Sequence, residues 1–272
     1  MKQAMLLAAG LGTRLRPLTD TMPKALVPVA GHPLLYHVLQ RLKAAGFQRV
    51  VVNVHHFGEQ IIDYLAANNN FGIDIRVSDE RGLLLDTGGG IRKAAPLFDT
   101  GSPVFIHNVD ILSNLDISAL YAAFERADNI DGALVVSERH SPRQLQFAPD
   151  TRQLLGWQNT QTGELRGPIA EQLRGTPEQQ GATVVPSEVA VPLAFAGIHL
   201  ISPQLFPLMA DYPNKFSIIT FYLNICGTRN LIGYEQPHFR FMDAGKLDTL
   251  AEAEAFLTAL NGQPPHIQDE EC

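Results

Sequence analysis

Through its first 140 residues the chain alternates short apolar runs with amphipathic stretches. The runs predict strands over 5–9, 49–54, 73–77, 103–107 and 132–137, the second of them (RVVVNV) rich in β-branched residues. Between them a helical period predicts helices over 33–45, 58–67, 89–98 and 116–127. In the first helix Leu34, Leu35, Val38, Leu39 and Leu42 fall on one face. Strands separated by helices imply βαβ units, hence an α/β fold with a mixed, mostly parallel central sheet flanked by helices. Ligands of such sheets sit beyond the carboxyl ends of the strands. The loops after Ala9, Val77 and His107 are therefore where chemistry is expected.

The second half is less regular. Strands are predicted over 154–159, 194–200, 231–234 and 240–243, and helices over 217–226 and 246–260. Residues 163–192 carry four glycines and four prolines among polar residues and read as a long polar insertion. Residues 263–272, after a last helix, read as a loose tail. The division expected is one domain over 1–262, with halves at about 1–140 and 141–262.

Composition narrows the class. Hydrophobic residues make up 45% and charged residues 18%, and the net charge of −7 argues against a general nucleic-acid or anionic-membrane binder. Two cysteines, Cys226 and Cys272, cannot make a disulfide framework or a CxxC metal site, and a reduced, cytoplasmic protein is expected. No apolar run approaches the length that spans a bilayer, and the short one at the start runs into a glycine turn rather than a cleavage site. No partner beyond small molecules is indicated, and either a monomer or a homo-oligomer fits.

The richest segment is Gly10-Leu11-Gly12-Thr13-Arg14, continuing through Pro17 and Thr19 to Pro23-Lys24. Glycines there allow a tight turn, and successive exposed N–H groups form an anion site. Arg14 and Lys24 offer a planar fork and a point charge to one anion, while Pro17 and Pro23 stiffen the loop. The dinucleotide fingerprint is excluded because Leu15 stands at its third glycine, and no Walker A loop occurs.

The pattern GxGTRxxPxTxxxPK, complete here at every fixed position, resembles the signature of the sugar-phosphate nucleotidyltransferases, or nucleotide-sugar pyrophosphorylases. The resemblance implies a Rossmann-like nucleotidyltransferase domain that joins a nucleoside triphosphate to a sugar 1-phosphate and releases pyrophosphate. It implies triphosphate binding by Ala9, Gly10, Gly12, Thr13 and Arg14, with Arg14 and Lys24 as catalytic residues. Nucleotidyl transfer gains from Mg²⁺, which prefers one or two carboxylates plus phosphate oxygens. Asp110, after a predicted strand, and Asp243, in an Asp-x-Gly motif, match the family's metal-binding aspartates, although Phe241 replaces its usual Trp and Lys246 a frequent Thr. Asp86, Thr87, Gly88 and Gly89 resemble the family's base-binding turn, with Asp79 and Glu80 bordering it, but the same residues suit a helix N-terminus. Asn108, Trp157, Gly197 and Ile198 fall where the sugar pocket is expected. His32, His55 and His56 lack metal or catalytic spacing.

Within the family the chain looks closest to the short members, which include N-acetylmuramate-1-phosphate uridylyltransferases and mannose- or heptose-1-phosphate guanylyltransferases. The expected reaction is UTP with N-acetylmuramate 1-phosphate or another amino-sugar 1-phosphate, making a cell-wall or glycan precursor. GTP with a mannose or heptose 1-phosphate is the alternative. A non-catalytic nucleotide-sensing scaffold is the reading outside the enzyme class, though such proteins usually erode the Arg, Lys or Asp positions retained here.

Overall fold

A computed structural model describes residues 1–127, 129–174 and 185–261. β1 (Gln3–Leu7) leads through the glycine-rich loop and a small hairpin, β2 (Pro28–Val29) and β3 (His32–Pro33), to α1 (Leu34–Ala44). β4 (Arg49–Val54), α2 (Gly58–Ala67), β5 (Asp74–Asp79), α3 (Asp86–Ala94), β6 (Val104–Asn108), β7 (Ile111–Ser113), α4 (Ile117–Arg126) and β8 (Gly132–Ser137) follow. The second half holds β9 (Arg143–Phe147), β10 (Leu154–Asn159), β11 (Leu165–Arg166), α5 (Pro168–Gln172), β12 (Val191–Ile201), α6 (Ile218–Ile225), β13 (Leu231–Tyr234), β14 (Phe241–Asp243) and α7 (Leu250–Asn261).

The central sheet runs β5-β4-β1-β6-β12-β8-β13. Its strands point one way except β12, which pairs antiparallel with both β6 and β8. The expected mixed, mostly parallel sheet is therefore present. The amino-terminal part of β12 continues into an antiparallel extension with β9, β10 and β11.

Both faces of the central strands are covered, so apolar residues fill consecutive positions rather than alternate ones. Ala4, Leu6, Val50, Val52 and Phe105 pack on the face of α1, α2 and α4. Met5, Val51, Val104 and Ile106 pack on the face of α3 and α6. The buried side of α1 consists of the five residues expected. A third, smaller cluster joins Leu15 and Val27 of the glycine-rich loop to Leu112, Ala244 and two residues of α7, Ala253 and Leu257. It clamps that loop against the segment after β14.

Several expectations need correction. The 163–192 stretch is not all loop: β11 and α5 lie in it, and Ile169 is buried, because the apolar Leu165 and Ile169 pack among Leu155, Val185 and Ala190. The tail at 263–272 lies outside the described residues. β7 and β9 were not predicted. β7 is only three residues long, and Gln144 and Gln146 disguise β9, where buried Gln146 donates to Gln158 across the ladder. Among the described residues no helix is long and apolar enough to cross a membrane.

Two core histidines give the fold an acid sensitivity. His107 and His199 are buried, and burial pushes both pKa values down from 6.5 to about 3. The unfolded chain takes up protons on these groups as pH falls below 6.5, while the folded chain holds them neutral until about pH 3. Stability is therefore lost as pH drops through that window. The melting temperature is expected to fall between pH 7.5 and 5.5, by less in a His199→Leu variant; equal falls would exclude a contribution from His199.

Candidate active site

A cavity of about 440 Å³ opens at the carboxyl ends of the central parallel strands. β1 contributes Leu7 and, just beyond it, Ala9 and Gly10; β4 contributes Asn53; β6 leads through Asn108 to Asp110. Arg14, Lys24, Glu80, Asp86, Thr87 and Lys215 complete much of the wall. A separate cavity of about 710 Å³, lined by Arg41, Ser113 and Gln236 among others, shares no residue with it. The smaller cavity is the candidate, because the glycine loop, three cations and a strand-end carboxylate converge there.

The glycine loop is shaped by short-range contacts. Gly12 has φ of 65°, a left-handed conformation that favours glycine, and a Cβ there would meet Thr19 Cγ2 at 2.7 Å. The Thr19 hydroxyl donates to the Gly12 carbonyl at 2.8 Å. The Ala8 and Ala9 N–H groups donate to Asn53 Oδ1 at 2.7 and 3.2 Å. The amide of Ala9 is thus already engaged, and the N–H groups available to an anion begin at Gly10.

The two aspartates meet through a minor strand pair. β14 lies antiparallel to β7, with Asp243 opposite Ile111, and the Ala244 N–H donates to the Asp110 carbonyl at 2.9 Å. Asp110 is buried and ion-paired to Lys24. Arg14 leans on Asp243 at 3.4 Å while its side chain stays 53% exposed. Burial pushes the Asp110 carboxyl up; Lys24 opposes this shift and Asp243 adds to it. At Asp243 burial also acts upward, but the Gly245 N–H at 2.8 Å, Arg14 and the neighbouring groups prevail and hold it low.

Gly245 stands at the centre of this group. A Cβ there would lie 2.7 Å from Asp110 Oδ2, from Asp243 Oδ1 and from Lys24 Nζ. Gly245→Ala is expected to cut turnover by roughly 10²-fold, the scale on which small misplacements of reacting groups act. Steady-state kinetics check this, and a rate within threefold of the parent would show that the three groups need not keep their spacing. Two hard carboxylate oxygens from different segments fit a Mg²⁺ ion. Among the described residues no group of three or more His, Cys, Asp or Glu side chains is placed to hold a metal ion.

Other expected site residues divide, and Gly12, Thr13 and Asp243 lie outside the cavity lining. Asp86 and Thr87 line the cavity, but Gly88 and Gly89 do not. Their N–H groups donate to the Phe216 carbonyl at 2.9 and 3.2 Å, and Cβ atoms on them would strike the Phe216 ring and the Asn214 carbonyl. These glycines serve the close packing of α3 on the 214–216 segment. Thr87 accepts the Ile218 N–H at 2.9 Å, and Ser217 caps α6. Asn108 lines the cavity, with Gly197 packed behind it: a Cβ there would meet Asn108 Nδ2 at 2.6 Å. Ile198 belongs to the core, and Trp157 lies outside the cavity lining on β10, beneath the Arg166 guanidinium at 4.9 Å. Asn53 and Lys215 escaped sequence reading. Asn53 had a signal, as a polar residue set among the valines of β4; Lys215 lies in no motif.

Residues 3–145 match the family model described as Nucleotidyl transferase. N-acetylmuramate alpha-1-phosphate uridylyltransferase from Caulobacter vibrioides is 34% identical over 263 residues, covering 94% of this chain and 97% of that protein. The protein of the same name from Neisseria meningitidis serogroup B is 45% identical over 128 residues, 47% of this chain and 54% of its own length. Among solved structures, the inositol-1-phosphate CTP transferase from T. maritima matches with a TM-score of 0.72 at 16% identity, over 96% of this chain and 97% of that one, a likeness of fold.

Proposed function

The chain belongs to the nucleotidyl transferase family, and we propose that it joins UTP to N-acetylmuramate 1-phosphate, releasing pyrophosphate. The observation that carries the transfer chemistry is the convergence of Arg14, Lys24, Asp110 and Asp243 beside the glycine loop. The choice of substrates rests on the full-length similarity to a protein of that name.

In this reading the triphosphate lies along Gly10–Arg14, where backbone N–H groups and the exposed Arg14 fork receive it. An oxygen of the sugar phosphate attacks the α-phosphorus in line. The new bond joins that oxygen to the α-phosphorus, and the bond from the α-phosphorus to the β-phosphate bridging oxygen breaks. The electron pair leaves with pyrophosphate, whose charge Arg14 steadies. Lys24 offsets the repulsion between the two phosphates as they approach. The nucleophile is already an anion, so no side chain need remove a proton. Asp110 and Asp243 would hold Mg²⁺, whose chemistry when bound is neutralisation of phosphate charge.

A pyrophosphate-release assay crossing four nucleoside triphosphates with a panel of sugar 1-phosphates tests the proposal. The highest rate is expected for UTP with N-acetylmuramate 1-phosphate. Preference for GTP with mannose or heptose 1-phosphate would overturn the substrate assignment alone, and no activity with any pair would overturn the transfer reaction.

A further inference from the structure

Asn53 and Glu80 are both buried, at 3% and 1% exposure, yet both reach the cavity wall. Asn53 Oδ1 accepts the Ala8 and Ala9 N–H groups, at 2.7 and 3.2 Å. Asn53 Nδ2 donates to Glu80 Oε1 at 2.7 Å. Glu80 Oε2 accepts the Leu85 N–H at 3.1 Å. An unbroken run of hydrogen bonds thus leads from the root of the glycine-rich loop, across β4, to the residue before α3, where Asp86 and Thr87 join the wall.

Donors and acceptors in this run alternate without choice. Two backbone donors face one end of Asn53, so its oxygen must point to the loop and its nitrogen to Glu80. Glu80 is aimed at by two donors and needs an acceptor at each end, which a carboxylate supplies and a glutamine amide does not. Burial pushes the Glu80 carboxyl up, while Asn53, the Leu85 N–H, Lys93 and His55 act to lower it; among the described residues no cation lies within ion-pair distance, so its two oxygens serve the hydrogen-bond run rather than a salt bridge. Gly90 lets α3 lie against the couple: a Cβ there would stand 2.7 Å from Glu80 Oε1 and 3.1 Å from Asn53 Nδ2.

We propose that Asn53 and Glu80 are positioning residues that fix the triphosphate loop and the Asp86–Thr87 turn to one another, so that the two halves of the nucleotide site are set as a unit. The inference rests on the reading of this cavity as a nucleoside triphosphate site. Among the described residues the side-chain hydrogen bonds of the couple run to the loop and to the turn and none to Lys24, Asp110 or Asp243, so its effect is expected on nucleotide affinity rather than on the second substrate.

Exchange of the two side-chain types tests this. Asn53→Asp faces one carboxylate with another. Glu80→Gln turns an amide N–H₂ toward either Asn53 Nδ2 or the Leu85 N–H. Asn53→Asp combined with Glu80→Gln restores the alternation: the new carboxylate at 53 accepts from the loop and from the new amide at 80, whose oxygen accepts from Leu85. UTP affinity is read by calorimetry without the second substrate, alongside melting temperature and the KM for the sugar phosphate. Each single change is expected to weaken UTP binding at least tenfold with the sugar-phosphate KM within twofold, and the double variant to return to within threefold of the parent. The proposal is overturned if single variants bind UTP within twofold of the parent, or if the double variant regains its melting temperature but not its affinity. If Asn53→Asp does not fold, Glu80→Gln decides by the same tenfold criterion. A parent protein that binds none of the four triphosphates sinks the nucleotide-site reading itself, a result distinct from every variant outcome.

Discussion

Asp110→Asn is expected to lower turnover by roughly 10³-fold while leaving the fold in place. Asparagine keeps the shape of the side chain, and the backbone contact that ties Asp110 to Ala244 does not involve it. What is lost is a formal charge at a buried point shared with Lys24 and Asp243. Lys24 keeps Asp243 nearby, so no buried cation is stranded and the melting temperature should move by only a few degrees. Turnover in saturating UTP and sugar phosphate, with circular dichroism as the folding control, checks the expectation. Activity within tenfold of the parent would remove Asp110 from the chemistry.

Lys24→Ala is expected to cost a similar factor, roughly 10³-fold in turnover, for a different reason. The ammonium is the cation paired with Asp110, and its side chain is only 12% exposed, so solvent screens it poorly. Without it two carboxylates and the incoming phosphates share one space, and the Arg14 guanidinium stands at 3.4 Å from Asp243 on the open side, where solvent screens it. Lys24→Arg should not restore the rate, because a planar fork on a longer stem cannot replace a compact charge packed beside Gly12 and Gly245. Stability should fall as well, since breaking a buried pair strands Asp110. Kinetics of both variants decide the matter: recovery in Lys24→Arg would mean that any positive charge suffices.

Residues whose role depends on near neighbours could be read from the chain. The buried face of α1 follows from helical spacing, and the doubly covered strands follow from unbroken apolar runs such as β4. The glycine-rich loop was legible because its turn, its prolines and both cations lie within fifteen positions. Trp157 shows the opposite case. A lone Trp on a strand could stack on a sugar or on a side chain, and only the β10–β11 pairing puts Arg166 over it. Gly88 and Gly89 looked like a base-binding turn because close approach demands glycine whatever approaches; the approaching group is the 214–216 segment, distant in sequence.

The βα order, the strand ends at which chemistry gathers, and the loop carrying Arg14 and Lys24 are legible along the chain, because they depend on periodicity and on contacts a few residues apart. How the two aspartates come to stand beside that loop's cations is set only in the folded chain. The pairing of β14 with β7 brings Asp243 beside Asp110, and a run of hydrogen bonds through Asn53 and Glu80 joins two loops that are separate in the chain. Such contacts carry no local signature, since their donors, acceptors and close approaches are matched only when the sheet is assembled.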